Sequence, residues 1–302
     1  MNKDLRIKEL LKGALDLHMH CDPSFMERTV DIWDAAIECS SAGMRGIGVK
    51  DHNVNLGVGA YIVNKHMPRS EGSDFQVFGS ICLNNDVGFN PRAVDSALRL
   101  GTKIVYLPTT ASLSHIKQLE QSNTKGAHFI PAKYTPKRQE PLVVINEDGS
   151  LKSEIKEIMR IIKENDGMLA TGHISYDECL AVVRYAKEIG LKRVSLTHLP
   201  QFTTFDFDKL SEIVNTIGIV EANLSIMLPV TPEFVRMDAK QFADHIRFFG
   251  VEHCSLASDA GSIVMPRPVK CLSAGIELLI DQGFTDDEIT TLVKINPAKL
   301  VL

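Results

Sequence analysis

Short apolar segments alternate along the chain with longer segments in which apolar residues recur at helical spacing. The short segments predict eight β-strands, and their weak alternation of polar and apolar residues is typical of parallel strands buried on both faces. The predicted strands cover 13–20, Met44–Val49, Gln76–Leu83, Lys103–Leu107, Met168–Thr171, Arg193–Thr197, Ile219–Leu224 and Cys254–Ala257.

The longer segments predict helices between these strands, and several of them end at a glycine, which favours a helix C-terminus. The predicted helices cover 4–12, Asp31–Gly43, Pro91–Leu100, Lys152–Asn165, Tyr176–Ile189, Phe207–Ile217, Pro232–Phe249 and Val269–Gln282. Eight strand–helix units predict one α/β domain over residues 1–302, a (β/α)8 TIM barrel. A doubly wound open sheet is the alternative, but no G-x-G-x-x-G sequence follows the first strand.

The segment 110–151 after the fourth strand breaks this alternation, and we interpret it as an insert. Within it, Asp148-Gly149 predicts a small hairpin. Long loops on the C-terminal face of a barrel are usually lids or substrate-binding segments, with a solvated surface loop as the alternative. The insert also contains several basic residues, which are Lys117, Lys125, Lys133, Lys137 and Arg138.

The composition is that of a globular protein without a marked preference for a charged partner. The net charge of −5 argues against a nucleic-acid or anionic-membrane partner. The six cysteines are scattered without a C-x-x-C pair, which is typical of reduced cytosolic proteins. The N-terminal residues lack the apolar core of a signal peptide, and no apolar run reaches the length of a membrane span. We therefore expect a cytoplasmic protein that acts on a small molecule, and we leave homo-oligomer formation open.

Two histidines at alternate positions end the first predicted strand. His18 and His20 are separated by one residue, so on a strand both side chains project to the same side. Two imidazoles on one side of a rigid strand form half of a divalent-metal site. Such a pair also occurs in purely structural roles, so the interpretation depends on how the other strands end.

Four further predicted strands end in residues that can bind a metal or a substrate. The second strand is followed by Lys50 and His52, the fifth by His173, the sixth by His198 and the eighth by Asp259. In a parallel barrel these strand ends meet on one face, which is the face that carries the active site in barrel enzymes. Each residue taken singly also fits a structural role, but their joint placement predicts a common site.

This set of imidazoles and one carboxylate fits one or two divalent transition metals. Zn²⁺ is favoured, with Mn²⁺, Fe²⁺ and Ni²⁺ as alternatives. Such a metal would lower the pKa of a water molecule to near 7 and polarise a substrate oxygen. We predict Asp259 as the catalytic residue that takes the proton from this water and passes it to the leaving group.

At this point the chain resembles the amidohydrolase superfamily. The resemblance rests on the H-x-H sequence after strand one, the single histidines after strands five and six, the aspartate after strand eight, and the closing Asn296-Pro297-Ala298-Lys299-Leu300. The resemblance implies that His18, His20, His173, His198 and Asp259 are metal ligands. Four segments are also similar to a subgroup of uncharacterised metal-dependent hydrolases: Leu15–His20, Val49–His52, Leu107–Thr110 and Thr171–His173.

The chain departs from many binuclear members of that superfamily, which carry a bridging, carboxylated lysine on strand four. Strand four here ends without a lysine, and Lys50 is the one lysine at a strand end. Lys50 either bridges two metals after carboxylation, faces a substrate anion as an ammonium, or pairs with Asp51 or Glu71. His52 is a further candidate ligand, by similarity to barrel phosphoesterases.

Three other positions complete the candidate site. We predict substrate contacts for Lys50, His115 and Glu178, although Ser175 followed three residues later by Glu178 also fits a helix cap. Glu221 lies inside an apolar strand, where an unpaired carboxylate is costly, so we expect it to be paired, with a lysine or with a histidine that lies behind the metal ligands, and it could reach the site.

The sequence favours a metal-dependent hydrolase that cleaves a C–N or C–O bond in an amide, cyclic amide, lactone or amine. A metal-dependent phosphoesterase is the alternative chemistry, with His52 as a ligand and Lys50 and the basic insert holding the phosphate. A non-catalytic barrel scaffold is the alternative outside enzymes.

Overall fold

The central feature of the computed structural model is one sheet of eight parallel strands, hydrogen-bonded to each other in chain order. The structure describes residues 2–68, 74–121, 140–204, 206–228, 231 and 233–302. The strands are β1 (Leu15–His20), β2 (Gly46–Lys50), β3 (Gln76–Cys82), β4 (Thr102–Tyr106), β5 (Met168–Ala170), β6 (Val194–Leu196), β7 (Ile219–Asn223) and β8 (Cys254–Ala257). All eight predicted strands are present, and the (β/α)8 fold class is confirmed.

Helices connect consecutive strands and cover the outside of the sheet, because their apolar faces pack on the strands. They are α1 (Lys3–Leu11), α2 (Ile32–Ser41), α3 (Gly57–His66), α4 (Pro91–Arg99), α5 (Leu113–Gln121), α6 (Ser153–Glu164), α7 (Tyr176–Ile189), α8 (Leu199–Phe202), α9 (Phe207–Thr216), α10 (Ala239–Phe249), α11 (Pro268–Asp281), α12 (Asp286–Thr290) and α13 (Asn296–Val301). None of the helices in the described ranges is both long and apolar enough to cross a membrane.

The barrel closes between β8 and β1, at the C-terminal ends of these strands. Met19 and Ala260 form a parallel bridge. The backbone N–H of His20 donates to the carbonyl of Ala260 at 2.7 Å, and the N–H of Asp259 donates to the carbonyl of His18 at 2.9 Å. These seam hydrogen bonds fix the backbone of Asp259 beside that of the two histidines.

The lower half of the barrel interior is filled by apolar side chains. One cluster combines residues of β1, β3, β4 and β5 with two residues of the C-terminal helix α13, Leu300 and Val301. This apolar packing leaves water little access through the N-terminal end of the barrel. The polar groups at the C-terminal ends of the strands therefore lie above an apolar, water-free interior.

The insert 110–151 is more regular than the sequence indicates. Helix α5 lies within it, and the predicted hairpin is present as an antiparallel bridge between Ile145 and Leu151. Gly149 has the positive φ of 80° that the turn requires. Four of the basic residues named for the insert, Lys125, Lys133, Lys137 and Arg138, lie outside the described residues, and so does Glu71.

Candidate metal centre

His18, His20 and Asp259 come together at the seam of the barrel. Oδ1 of Asp259 lies 3.2 Å from Nε2 of His18 and 3.0 Å from Nε2 of His20. Two ligand atoms on a tetrahedral zinc ion are about 3.3 Å apart, given bond lengths near 2 Å. The three side chains therefore have separations close to those that one metal ion requires.

The tautomer of His18 is set by Glu221 on β7. Nδ1 of His18 lies 2.7 Å from Oε1 of Glu221, and because a carboxylate only accepts, Nδ1 carries the proton. Nε2 is then unprotonated and presents its lone pair to the site, where it accepts a hydrogen bond from Nζ of Lys50 at 2.9 Å. Glu221 is paired, as predicted, but its partner is His18, one of the predicted metal ligands, and not a lysine or a histidine behind the ligands.

His198 and His173 form the other wall of the site. The ring of His198 lies 5.3 Å from that of His18 and 5.1 Å from that of His173, between centroids. His198, His18 and Glu221 form a second group whose ligand atoms lie within 4.8 Å of one another. His173 stacks on Phe202 at 4.1 Å, which fixes the plane of its ring.

Strained backbone places several of these side chains. His198 has φ of 48° and Asp259 has φ of 52°, in the left-handed region that non-glycine residues rarely adopt. Gly172, before His173, has φ of 65°, and a Cβ there would lie 2.5 Å from the carbonyl oxygen of Leu107. Such conformations cost about 1–3 kcal/mol each and persist where the surrounding structure enforces them, which is common at functional sites.

Burial favours the neutral form of three imidazoles of the site, those of His20, His173 and His198. It lowers the pKa of His198 to about 4, and it lowers the pKa values of His20 and His173 well below 6.5, with further contributions from Arg28 and His115 respectively. Burial also disfavours the charged form of Asp259, but His18 and His20 outweigh this effect and hold the pKa of the carboxyl well below 3.8. Neutral imidazoles and an ionised carboxylate are the forms that bind metal.

A bound cation would satisfy the buried polar atoms of the site better than these atoms satisfy one another. Oδ1 of Asp259, Nε2 of His173 and Nδ1 of His198 are buried without a hydrogen-bond partner in the described part of the chain. Because Glu221 holds the proton of His18 on Nδ1, the lone pair on Nε2 of His18 faces the carboxylate oxygen Oδ1 of Asp259 at 3.2 Å. A cation removes this repulsion, whereas buried acceptors left unpaired cost about 1–3 kcal/mol each.

The remaining predicted site residues line the same pocket, with one exception. His52 lies 4.9 Å from His20 between ring centroids, and its Nδ1 lies 2.9 Å from the hydroxyl of Thr109. Nδ1 of His115 lies 3.0 Å from Nδ1 of His173. The pocket residues predicted from the sequence are His20, Lys50, His52, His115, His173, His198 and Asp259.

Glu178 is the exception, and its predicted substrate contact is corrected. Oε2 of Glu178 accepts from the backbone N–H and the hydroxyl of Ser175, which caps α7. Oε1 accepts from the N–H of Val144 in the insert at 2.8 Å. Both carboxylate oxygens are thus used to attach the insert to the start of α7.

Lys50 is buried inside the barrel, and its ion pair with Asp51, one of the two predicted carboxylate partners, is not found among the described residues. Asp51 instead pairs with Arg28 at 3.4 Å, and Glu71 is not described. Nζ of Lys50 lies over the ring of Tyr106 at 4.5 Å as well as against His18. Sequence reasoning did not identify Arg28 or Phe202 as pocket residues. Their position in loops that follow β1 and β6 is the signal that could have found them.

Comparisons with known proteins agree with this architecture. The match to the probable dipeptidase PvdM from Pseudomonas aeruginosa covers 100% of this chain and 99% of that protein, with a TM-score of 0.65 and 10% identity. An amidohydrolase from the same organism gives a TM-score of 0.63 at 11% identity, with 99% and 98% of the two chains covered. Dihydroorotase from Campylobacter jejuni gives 0.54 at 11% identity, with coverage of 96% and 83%.

These comparisons confirm the resemblance to the amidohydrolase superfamily in the fold. They show no more than the fold, because the identities are low. No curated protein matches the chain. One family model matches residues 13–221, which is more than half of the chain and includes β1 to most of β7. The chain therefore belongs to DUF6282, a family of unknown function.

Proposed function

We propose that this protein is a metal-dependent hydrolase that cleaves a C–N or C–O bond in a small molecule, such as an amide, cyclic amide, lactone or amine. One observation carries the proposal. Oδ1 of Asp259, near the end of the chain, lies within 3.2 Å of Nε2 of both His18 and His20, near its start, at the mouth of the barrel. The fold shared with solved amidohydrolases supports the same class of chemistry.

The residues that would hold the metal are those with converging lone pairs. His18, His20 and Asp259 form one ligand group, and His198 and His173 extend it for a second ion. Zn²⁺ is our first choice, since imidazole and carboxylate ligands suit it, and Mn²⁺, Fe²⁺ and Ni²⁺ use the same donors. Such an ion, when bound, acidifies a water molecule and polarises a substrate oxygen.

The side chains of the site have distinct roles in this proposal. Glu221 holds the proton on Nδ1 of His18 and so keeps Nε2 free as a ligand. Asp259, ionised at neutral pH, takes a proton at Oδ2, the oxygen that faces Nε2 of His198 at 3.8 Å, and returns it to the leaving group.

Lys50 has a role that depends on His18. One lone pair on Nε2 cannot serve both a metal and an N–H of Lys50, so metal binding would free the ammonium. We propose that the freed Lys50 and His115 contact the substrate. Carboxylation of Lys50 to bridge two metals is the alternative.

The phosphoesterase alternative has weaker support. It requires His52 as a ligand in addition to His173, and neither histidine belongs to the carboxylate–histidine groups that the described residues form. It also relies on basic residues of the insert that lie outside the described part of the chain. The scaffold alternative does not explain why polar groups are buried and paired at the mouth of the barrel, or why the backbone there is strained.

The first test is the metal itself. Protein purified without chelator, and the same protein after reconstitution with Zn²⁺ or Mn²⁺, is analysed by elemental mass spectrometry. We expect at least one transition metal per chain. Absence of metal in both preparations would refute the proposal in favour of a scaffold.

The second test asks whether Asp259 takes part in proton transfer, with an exposed carboxylate as the control. Substitution Asp259→Asn keeps the shape of the side chain and removes its ability to take a proton. Turnover on a panel of lactones, N-acyl compounds and p-nitrophenyl phosphates should fall by about 10²–10⁴-fold, with much of the metal still bound. The matched control is Asp74→Asn, at an exposed carboxylate paired with Arg45. Equal rates in both variants would remove Asp259 from the mechanism.

A further inference from the structure

Arg28 is a buried cation of the pocket that neither the ligand set nor the proton transfer uses. Its side chain is 2% exposed, and it lines the pocket together with His20 and Asp259. A guanidinium group has five N–H donors in one plane. Burying such a group is costly unless these donors find acceptors, so each donor of Arg28 needs an account.

Two side chains hold the guanidinium group of Arg28. Nε donates to the hydroxyl of Ser24 at 3.1 Å, and Nη2 donates to Oδ2 of Asp51 at 3.4 Å. The other oxygen of Asp51 accepts from the backbone N–H groups of Asn53 and Val54, at 2.9 and 3.1 Å. Oδ1 of Asp51 is thus used by the backbone, and Oδ2 contacts the guanidinium group through one long contact with Nη2.

The backbone of Arg28 is also fixed. Arg28 forms an antiparallel bridge with Ser262, in the loop that follows β8, and the next residue, Thr29, donates to the carbonyl of Gly261 at 2.9 Å. The loop after β1 is thus attached to the loop that carries Asp259. A guanidinium held in this way is preorganised, so a ligand that binds it does not have to order a flexible side chain.

The second N–H of Nη2 and both N–H groups of Nη1 have no acceptor among the described residues. We infer that these donors bind a carboxylate of the substrate, so that the hydrolysed molecule is a small carboxylic acid with its scissile bond directed to the metal ligands. This inference rests on the proposed function, because it places the substrate in the pocket that those ligands share.

The rest of the pocket favours a carboxylate over a phosphate group. Apart from Arg28, the one Lys or Arg among the described lining residues is Lys50, which lies deep against His18. Apart from Asp259 and the histidines, the other lining residues are uncharged, among them Met26, Ser225 and Met265. One planar guanidinium matches one planar carboxylate in charge and shape, whereas a phosphate dianion usually gathers several cations or backbone N–H groups.

The test uses the metal-loaded protein and three probes in isothermal titration calorimetry: succinate, its neutral analogue succinamide, and inorganic phosphate. Succinate should bind, and succinamide should bind at least about tenfold more weakly. Substitution Arg28→Met should weaken succinate binding by about 10–100-fold without changing succinamide binding. Arg28→Lys keeps the charge without the fork and should give an intermediate loss. The control is Arg99→Met, at an exposed arginine paired with Asp95.

Several outcomes overturn the inference. Unchanged succinate affinity in Arg28→Met, with unchanged metal content, would show that the metal alone binds the carboxylate. Phosphate that binds more tightly than succinate, in an Arg28-dependent way, would replace the carboxylate with a phosphate group. If Arg28→Met fails to fold, the Nε–Hε resonance of Arg28 in the unmodified protein decides: it should shift on addition of succinate, and a static resonance refutes the inference.

Failure of this inference and failure of the proposed function are distinguishable. Metal binding and hydrolysis of uncharged substrates, together with an Arg28-independent succinate affinity, would leave the function intact and remove the carboxylate. Arg28-dependent succinate binding to a protein that holds no metal would support the subsite and refute the hydrolase.

Discussion

The pairing of Glu221 with His18 is the contact on which the ligand set depends most. Glu221 is 3% exposed, and although burial opposes its charge, the neighbouring His18 lowers the pKa of this carboxyl below its ordinary value. Asn223 donates a second hydrogen bond to the same oxygen at 3.0 Å. A carboxylate behind a ligating histidine fixes its tautomer and raises its basicity.

We therefore expect Glu221→Gln, which keeps an oxygen for His18 but removes the charge, to weaken metal binding by about 10–100-fold. The affinity is measured by competition with a chelating indicator. The matched control is Glu212→Gln on the outer face of the barrel, where the carboxylate is exposed and paired with Arg184. Equal affinities in the two variants would show that Glu221 does not act on the ligand.

His245 supplies a prediction about pH that is independent of the metal site. It lies on α10 with its ring packed on Phe249 at 4.7 Å, and its Nε2 is buried without a partner among the described residues. Burial lowers the pKa of His245 to about 4, from 6.5. Above pH 6.5 the folded and unfolded states both hold the neutral ring, so His245 does not affect stability there.

Between pH 6.5 and 4 the unfolded chain binds a proton at His245 that the folded chain does not bind, so stability falls as the pH falls. The full effect amounts to about 3 kcal/mol below pH 4. In His245→Phe the free energy of unfolding should therefore decrease less between pH 7 and 4.5, as measured by urea denaturation. The control His66→Phe changes an exposed histidine and should keep the original slope.

At the level of single residues, sequence reasoning identified the groups that strand ends bring together, because alternate positions and strand ends follow from backbone geometry. His18, His20 and Asp259 are of this kind. It could not identify the partner of His18, since Glu221 is 203 positions away and only the closure of the barrel brings the two together. Arg28 was missed for the same reason, because its burial depends on Asp51 and Ser262 in other loops.

Among the elements, the strands were predicted to within two residues, because buried parallel strands are continuous apolar runs. Helix α3 was not predicted, since its first turn contains Gly57 and Gly59, which lower helix propensity. Helix α5 was not predicted, because its apolar residues Leu113, Ile116 and Leu119 form only a short stripe inside the segment that we interpreted as an insert. Both helices form through contacts with the rest of the barrel.

The turn between β5 and α7 gives a prediction at the same scale. Gly172 orients His173, and Gly88 has the same φ of 65° but nothing within 4 Å of its missing Cβ. Gly88→Ala therefore measures the conformational cost alone, about 1–2 kcal/mol. Gly172→Ala adds the collision with the carbonyl oxygens of Leu107 and Pro108, and should cost about 1–3 kcal/mol more in the free energy of unfolding. Equal costs would show that the turn relaxes without strain.

For the molecule as a whole, the seam between β8 and β1 determines how the site and the fold depend on each other. Neighbouring strands elsewhere in the barrel are joined by ladders of two to four paired residues, whereas β8 and β1 are joined by the bridge between Met19 and Ala260 and a few hydrogen bonds. A metal bound by His20 of β1 and by Asp259, which follows β8, would add a further link across this seam.

Metal removal should therefore destabilise the barrel itself. At a free metal concentration of 100 times Kd, binding adds about 3 kcal/mol to the free energy of unfolding, and chelator should remove this contribution and lower Tm. Hydrogen exchange should increase first at the C-terminal ends of β1 and β8, where the seam opens. In His20→Ala the chelator should have little effect, whereas His253→Ala, at an exposed histidine, should respond as the unmodified protein does. An equal drop in Tm in His20→Ala would mean that the metal binds elsewhere, because a metal ion at the seam that has lost His20 cannot stabilise the barrel to the same extent.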